Sequence, residues 1–287
     1  MKRGMALALA VAGLNLLSGP VGARELKTLT SFLPLYCFAV NVAGSIGQVE
    51  ALVSPNANPH DYQLTVRDRQ RIEAADLVIL NGLGLDAWME PLVRRADKEK
   101  PLVVAASGLS NELIRTGRVV NPHVWLDPLL AIHCVTNIFN EMAALDPEHG
   151  DVYSRNASNY LNRLQALDRE IQSGLLPFKG SAIVTFHDSF RYFARRYGLV
   201  IAGVIEEVPD VSPSARRLAQ LYRTIREKRP KCIFTEPQFP SHLAEQIAKD
   251  LNVPIASLNT LETGPLNADS YETGMRENLR VLQEKLK

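Results

Sequence analysis

The chain has 287 residues, is 46% hydrophobic, and sets 32 Lys and Arg against 31 Asp and Glu for a formal net charge of +1. That balance supplies no electrostatic case for a nucleic acid or an anionic membrane as partner, while the length suffices for one large or two ordinary domains with substantial cores. The three cysteines, Cys37, Cys134 and Cys232, stand in apolar stretches without the paired spacing of a zinc-thiolate site, so they read as buried small hydrophobes.

Lys2 and Arg3 precede an apolar run over 5–17, followed by Ser18-Gly19-Pro20-Val21-Gly22-Ala23. A basic start, a short apolar stretch and small residues at a cleavage point are the pattern of a secretory signal peptide, expected over 1–23. The run is shorter than the roughly 20 apolar residues that cross a bilayer. No cysteine lies at the cleavage point, so the expectation is a periplasmic protein, not a lipid-anchored one. Without that segment the net charge falls to about −1.

Beyond it, short runs rich in Val, Ile and Leu alternate with segments of helical period, which is the pattern of strand-helix units on a parallel sheet. Strands are expected at 26–32, 49–53, 77–80 and 102–105, with helices at 63–73 and 85–94. A second set of strands follows at 182–186, 200–205, 232–235 and 255–258, with helices at 190–197, 215–228 and 243–251. Between the sets lies a long helical stretch, opened by Asp146-Pro147-Glu148 and left at Gly174 and Pro177, with apolar Val152, Tyr160, Leu164, Leu167, Ile171 and Leu175 on one side. At ~1.5 Å per residue it reaches on the order of 40 Å, enough to join two lobes as a stiff spine. The expected fold is therefore α/β, with an N-terminal lobe over 24–145, a linking helix over 146–176 and a C-terminal lobe over 177–287.

Three of the six histidines share a context in which a strand or extended segment runs into a loop. They are His60 in Asn58-Pro59-His60-Asp61, His123 in Asn121-Pro122-His123-Val124-Trp125-Leu126-Asp127-Pro128, and His187 in Phe186-His187-Asp188. Ligands of open α/β sheets bind beyond the carboxyl ends of strands, so the three can converge between the lobes. Neutral imidazole suits zinc and other late first-row dications. The prolines stiffen two of the loops. His187 is expected to open a helix, whose positive end disfavours imidazolium. Asp61, Asp127 and Asp188 are near enough to orient the rings. His133, His149 and His242 lack this context and read as structural or exposed, and Trp125 reads as packing beneath the second loop.

Taken in order, Ser31-Phe32-Leu33-Pro34-Leu35-Tyr36, Pro59-His60-Asp61-Tyr62, Ala74-Ala75-Asp76-Leu77, the Asn121 to Pro128 segment, Phe186-His187-Asp188 and Phe234-Thr235-Glu236-Pro237-Gln238-Phe239 resemble the cluster A-I solute-binding proteins of zinc and manganese ABC transporters. The resemblance implies two Rossmann-like lobes joined by a backbone helix and one metal in the cleft. By position it makes His60 and His123 ligands from the first lobe and His187 the third, a histidine that favours zinc over manganese or iron. It implies an inner-membrane ABC permease as partner, a monomeric receptor and no enzymatic activity. The family's usual fourth ligand is an aspartate where this chain reads Leu258-Asn259-Thr260-Leu261-Glu262, so the fourth place falls to Asn259, to water or to Glu262.

Three histidines with an open position also describe a secreted zinc-dependent hydrolase. Against it, the chain has no HExxH and no glutamate with a clear general-base placement beside a ligand. A surface adhesin or metal chaperone is a third class, which the missing lipid cysteine disfavours.

Overall fold

The computed structural model describes residues 25–206 and 213–287; the expected signal peptide lies outside them. In the first lobe the elements run β1 (Leu26–Thr30), α1 (Leu33–Ala43), β2 (Gly47–Ala51), α2 (Val66–Ala74), β3 (Leu77–Leu80), α3 (Glu90–Ala96) and β4 (Leu102–Val104). A two-residue hairpin follows, β5 (Arg115–Thr116) and β6 (Val119–Val120), and then α4 (Pro128–Leu145) and α5 (Gly150–Leu175). The second lobe contains β7 (Ala182–Thr185), α6 (Arg191–Tyr197), β8 (Val200–Val204), α7 (Ala215–Lys228), β9 (Cys232–Thr235), α8 (His242–Leu251) and β10 (Ile255–Ser257), before a last helix, α9 (Ser270–Lys285).

The two large sheets are wholly parallel and share one plan. Their strand orders are β2-β1-β3-β4 and β8-β7-β9-β10, so in each lobe the first strand sits between the second and third. The chain winds outward in both directions from that first strand, which opens a crevice at the carboxyl ends of strands one and three. Each expected strand is present, most ending one or two residues early.

Three helices, α1, α4 and α9, are present beyond those expected. In α1, eight of eleven residues are buried, so there is no polar face to reveal the period. In α4 the buried residues Leu130, Ala131, Cys134, Val135, Ile138 and Met142 form one stripe. The apolar face of α9, with Tyr271, Met275, Leu279 and Leu282 buried, packs on α5 and α1. The end of the expected C-terminal lobe thus returns to the spine.

That spine is a short 3-10 turn at Pro147–His149 followed by the 26 residues of α5. Tyr153, Ala157, Tyr160, Leu164, Leu167, Ile171 and Leu175 form its buried stripe at steps of three and four, with Tyr153 taking the inward place expected for Val152. One continuous core joins this stripe to α1, α4 and α9 and to residues of both sheets, including Leu77 and Phe234. Asp168 of α5 is buried and receives Arg196 of α6 at 2.6 and 2.8 Å and the Tyr197 hydroxyl at 3.1 Å, which pins the spine to the second lobe. The three cysteines are buried free thiols, pushed up to about 12 mainly by burial. Among the described residues no helix is long and apolar enough to cross a membrane.

Candidate metal centre

His60, His123, His187 and Glu262 meet between the lobes, with one donor atom from each within 4.8 Å of all the others. His60 Nε2 lies 3.3 Å from His123 Nε2, and His123 Nε2 lies 3.0 Å from His187 Nε2. Glu262 Oε1 is 3.0 Å from His60 Nε2 and 3.1 Å from His123 Nε2. Four bonds of about 2.0–2.1 Å around a tetrahedral zinc hold neighbouring donors about 3.3 Å apart, close to the spacing of these four pairs, while the remaining pairs lie within 4.8 Å.

The two first-lobe histidines are placed by the same local device. Asn58 Oδ1 accepts the His60 N–H at 3.0 Å, and Asn121 Oδ1 accepts the His123 N–H at 3.1 Å. Each Asn-Pro-His triplet is thus an Asx turn, with the asparagine as structural as the proline. Trp88 Nε1 donates to the Pro59 carbonyl at 3.3 Å and stacks on Tyr62, holding the His60 loop from outside. Asn81 Nδ2 does the same for the His123 loop through the Pro122 carbonyl at 3.1 Å. Trp125 packs edge-on to Phe32 beneath that loop, and its Nε1 donates to the Thr260 carbonyl at 2.8 Å, tying the His123 loop to the loop of Glu262.

The second-lobe donors are placed differently. His187 follows β7 directly, but α6 begins only at Arg191, so no helix end acts on its ring. The acceptor that governs it is Glu236, just beyond β9: Oε2 faces His187 Nδ1 at 2.6 Å and Oε1 accepts its backbone N–H at 3.1 Å. His123 Nδ1 meets Asn121 Oδ1 at 2.9 Å. Of the three aspartates expected to orient the rings, Asp188 adds its charge to the forces that raise His187. Asp61 is exposed, Asp127 caps α4 through the Leu129 N–H, and Asp188 pairs with Arg191.

Asn259, expected with water and Glu262 as a candidate for the fourth place, has its side-chain oxygen engaged within its own loop. Its Oδ1 accepts the Leu261 N–H at 2.7 Å and its backbone exchanges hydrogen bonds with the Asn278 amide of α9. This third Asx turn throws Leu261 into a left-handed φ of 64° and aims Glu262 at the histidines. Leu261 fits because α9 carries Gly274 opposite, where an added Cβ would stand 2.2 Å from its Cδ2. His133, His149 and His242 stay away from the cluster: His133 bonds the Ser107 carbonyl, His149 pairs with Asp146, and the His242 side chain is 93% exposed.

The electrostatics follow from burial. Removal from water drives His123 down to about 3, so its ring is neutral. Burial also acts downward on His187, but the charge and hydrogen bond of Glu236 overcome it and raise the ring to about 9. Burial works to raise Glu262, yet the histidines facing it hold it well below the usual carboxylate range. Because Asn121 Oδ1 and Glu236 only accept, both Nδ1 atoms carry hydrogen and both Nε2 atoms turn toward the centre. Glu236 and Glu262 are 3% and 1% exposed, so two negative charges share a dry pocket. One proton on His187 offsets half of that charge. A dication that displaces the proton offsets all of it.

Glu236 and Asn121 are the residues whose roles the sequence leaves unannounced. Glu236 could have been found from its place at a strand end beside the crevice, and Asn121 from the repetition of Asn-Pro-His.

Over residues 29–285 the chain matches the family described as zinc-uptake complex component A, periplasmic. The zinc-binding lipoprotein AdcA of Streptococcus pneumoniae serotype 4 is 30% identical over 280 residues, covering 91% of this chain and 56% of that protein. The chain thus spans about half the length of the curated relatives it matches first. The solute-binding protein FpvC of Pseudomonas aeruginosa, solved with Ni2+, superposes with a TM-score of 0.84 at 29% identity over 92% of this chain and 97% of that one. A crystal structure of ZnuA gives 0.82 at 28% identity over 92% and 100%.

Proposed function

Because the chain belongs to the family of zinc-uptake component A, we propose that it is a solute-binding protein that captures one divalent transition metal, zinc ahead of manganese or iron, and delivers it to an ABC importer. The observation that carries this reading is the convergence of three histidines and Glu262, with one donor atom from each within 4.8 Å of all the others. His60, His123, His187 and Glu262 are the ligands, and zinc is the cargo. Asn259 shapes the loop that presents Glu262.

Four protein donors fill a tetrahedral shell, whereas a catalytic zinc keeps three and leaves one place for water. Glu236, the nearest other carboxylate, is occupied with His187 and is not free to activate a water. Both features favour capture without turnover over a secreted zinc-dependent hydrolase. All four donors come from one chain, so a monomer suffices. Export to the periplasm fits residues 1–23 acting as a cleaved signal, and an inner-membrane permease is the partner that receives the metal.

Elemental analysis of purified protein, joined to thermal unfolding with added zinc, tests the reading. It predicts one zinc per chain and a rise in Tm that reflects about 2.7 kcal/mol at a zinc concentration 100 times Kd. Absence of bound metal and of any shift would refute it.

A further inference from the structure

The geometry points to Gln238 and Thr260 as the residues that set the metal preference, by confining Glu262 to a single donor oxygen; this rests on the ligand set proposed above. The two oxygens of Glu262 face different company. Oε1 looks at His60 and His123, at 3.0 and 3.1 Å. Oε2 looks away from the histidines and accepts from Gln238 Nε2 at 3.0 Å and from the Thr260 hydroxyl at 3.1 Å.

Both donors are themselves fixed. Gln238 Nε2 also reaches Thr260 Oγ1 at 2.8 Å and Glu236 Oε2 at 3.3 Å. A position among carboxylate oxygens can hold only the amide nitrogen, which settles the orientation of the side chain. Gln238 Oε1 is buried with no hydrogen-bond partner, an arrangement tolerated because the nitrogen end is needed where it is. Thr260 is fully buried, and Trp125 holds its carbonyl.

The consequence concerns coordination number. Zinc is satisfied by four donors in a tetrahedron, whereas manganese prefers six, mainly oxygen. Within the ligand set a fifth donor is Glu262 Oε2, and recruiting it requires the carboxylate to turn and give up both hydrogen bonds. The clamp therefore leaves zinc untouched and penalises ions that need a bidentate carboxylate.

The test uses the full chain with Gln238→Leu, Thr260→Val and the double variant, Co2+ as a spectroscopic probe, and zinc against manganese in chelator competition. Thr260→Val keeps the side-chain shape and removes only the hydroxyl, so it informs even if Gln238→Leu folds poorly. The wild type is expected to give the intense visible bands of tetrahedral Co2+. The variants are expected to give the weaker bands of five-coordinate Co2+ and a zinc-to-manganese affinity ratio reduced about tenfold, the loss typical of a residue that orients a ligand. Folded variants with wild-type bands and ratio overturn the clamp, provided Glu262→Gln binds metal weakly. If Glu262→Gln binds like the wild type, the ligand set itself is wrong and the inference falls with it.

Discussion

The two lobes share a strand order yet build their halves of the metal centre in opposite ways. The first contributes two rings, each set by an Asn-Pro-His turn whose hydrogen bonds span two residues. The second contributes His187 and Glu262, with Glu236, Gln238, Thr260 and the Asn259 turn around them, and its two carboxylates are held by contacts between separate loops. A half set by local turns beside a carboxylate-bearing, networked half points to a division of labour. The first fixes where the ion sits, and the second fixes which charge and coordination it must have.

The largest expected effect comes from breaking either half outright. His123→Ala removes a neutral donor, and Glu262→Gln removes a charge while keeping the shape. Each is expected to weaken zinc binding at least about 100-fold, beyond what loss of an orienting residue costs. Calorimetric titration of both variants checks this, and wild-type affinity in either places that residue outside the shell.

A smaller effect separates the halves by pH. His187 at about 9 carries a proton in the metal-free site, and zinc must displace it. A value raised above the ordinary 6.5 means that the proton stabilises the metal-free fold below pH 6.5, and that this contribution is lost as pH rises through about 9. Zinc affinity should therefore climb about tenfold per pH unit from neutrality to about 9 and then level off. Glu236→Gln removes the charge that raises His187, so the climb over that range should flatten. His123, already neutral down to about 3, contributes nothing to the slope. An unchanged slope in Glu236→Gln would remove the second lobe from control of the proton.

The smallest effect distinguishes a ligand from a residue that shapes its loop. An aspartate at 259 can still accept the Leu261 N–H, so Asn259→Asp should change zinc affinity less than about threefold, well short of the tenfold that marks an orienting residue. Marked tightening would mean that position 259 reaches the metal.

The same contrast explains what could be read from the sequence. Alternating apolar runs gave both sheets their strands, and the stripe on α5 gave the spine, because those patterns are local. The turns holding His60 and His123 were legible for the same reason. Helix α1 was not, since burial on nearly every side erases the polar face that marks a helical period. Glu262 competed with Asn259 because the contact that decides between them joins residues 202 apart in the chain, His60 to Glu262. Glu236 lies 49 residues from the ring it governs, and no spacing rule covers that distance.

Anomalous diffraction at the zinc edge from crystals of the zinc-loaded chain tests the central claim most directly. The account predicts one peak bonded to His60, His123 and His187 through Nε2 and to Glu262 through Oε1 alone, at about 2.0–2.2 Å. A peak bonded to Asn259, or one lacking Glu262, would contradict it.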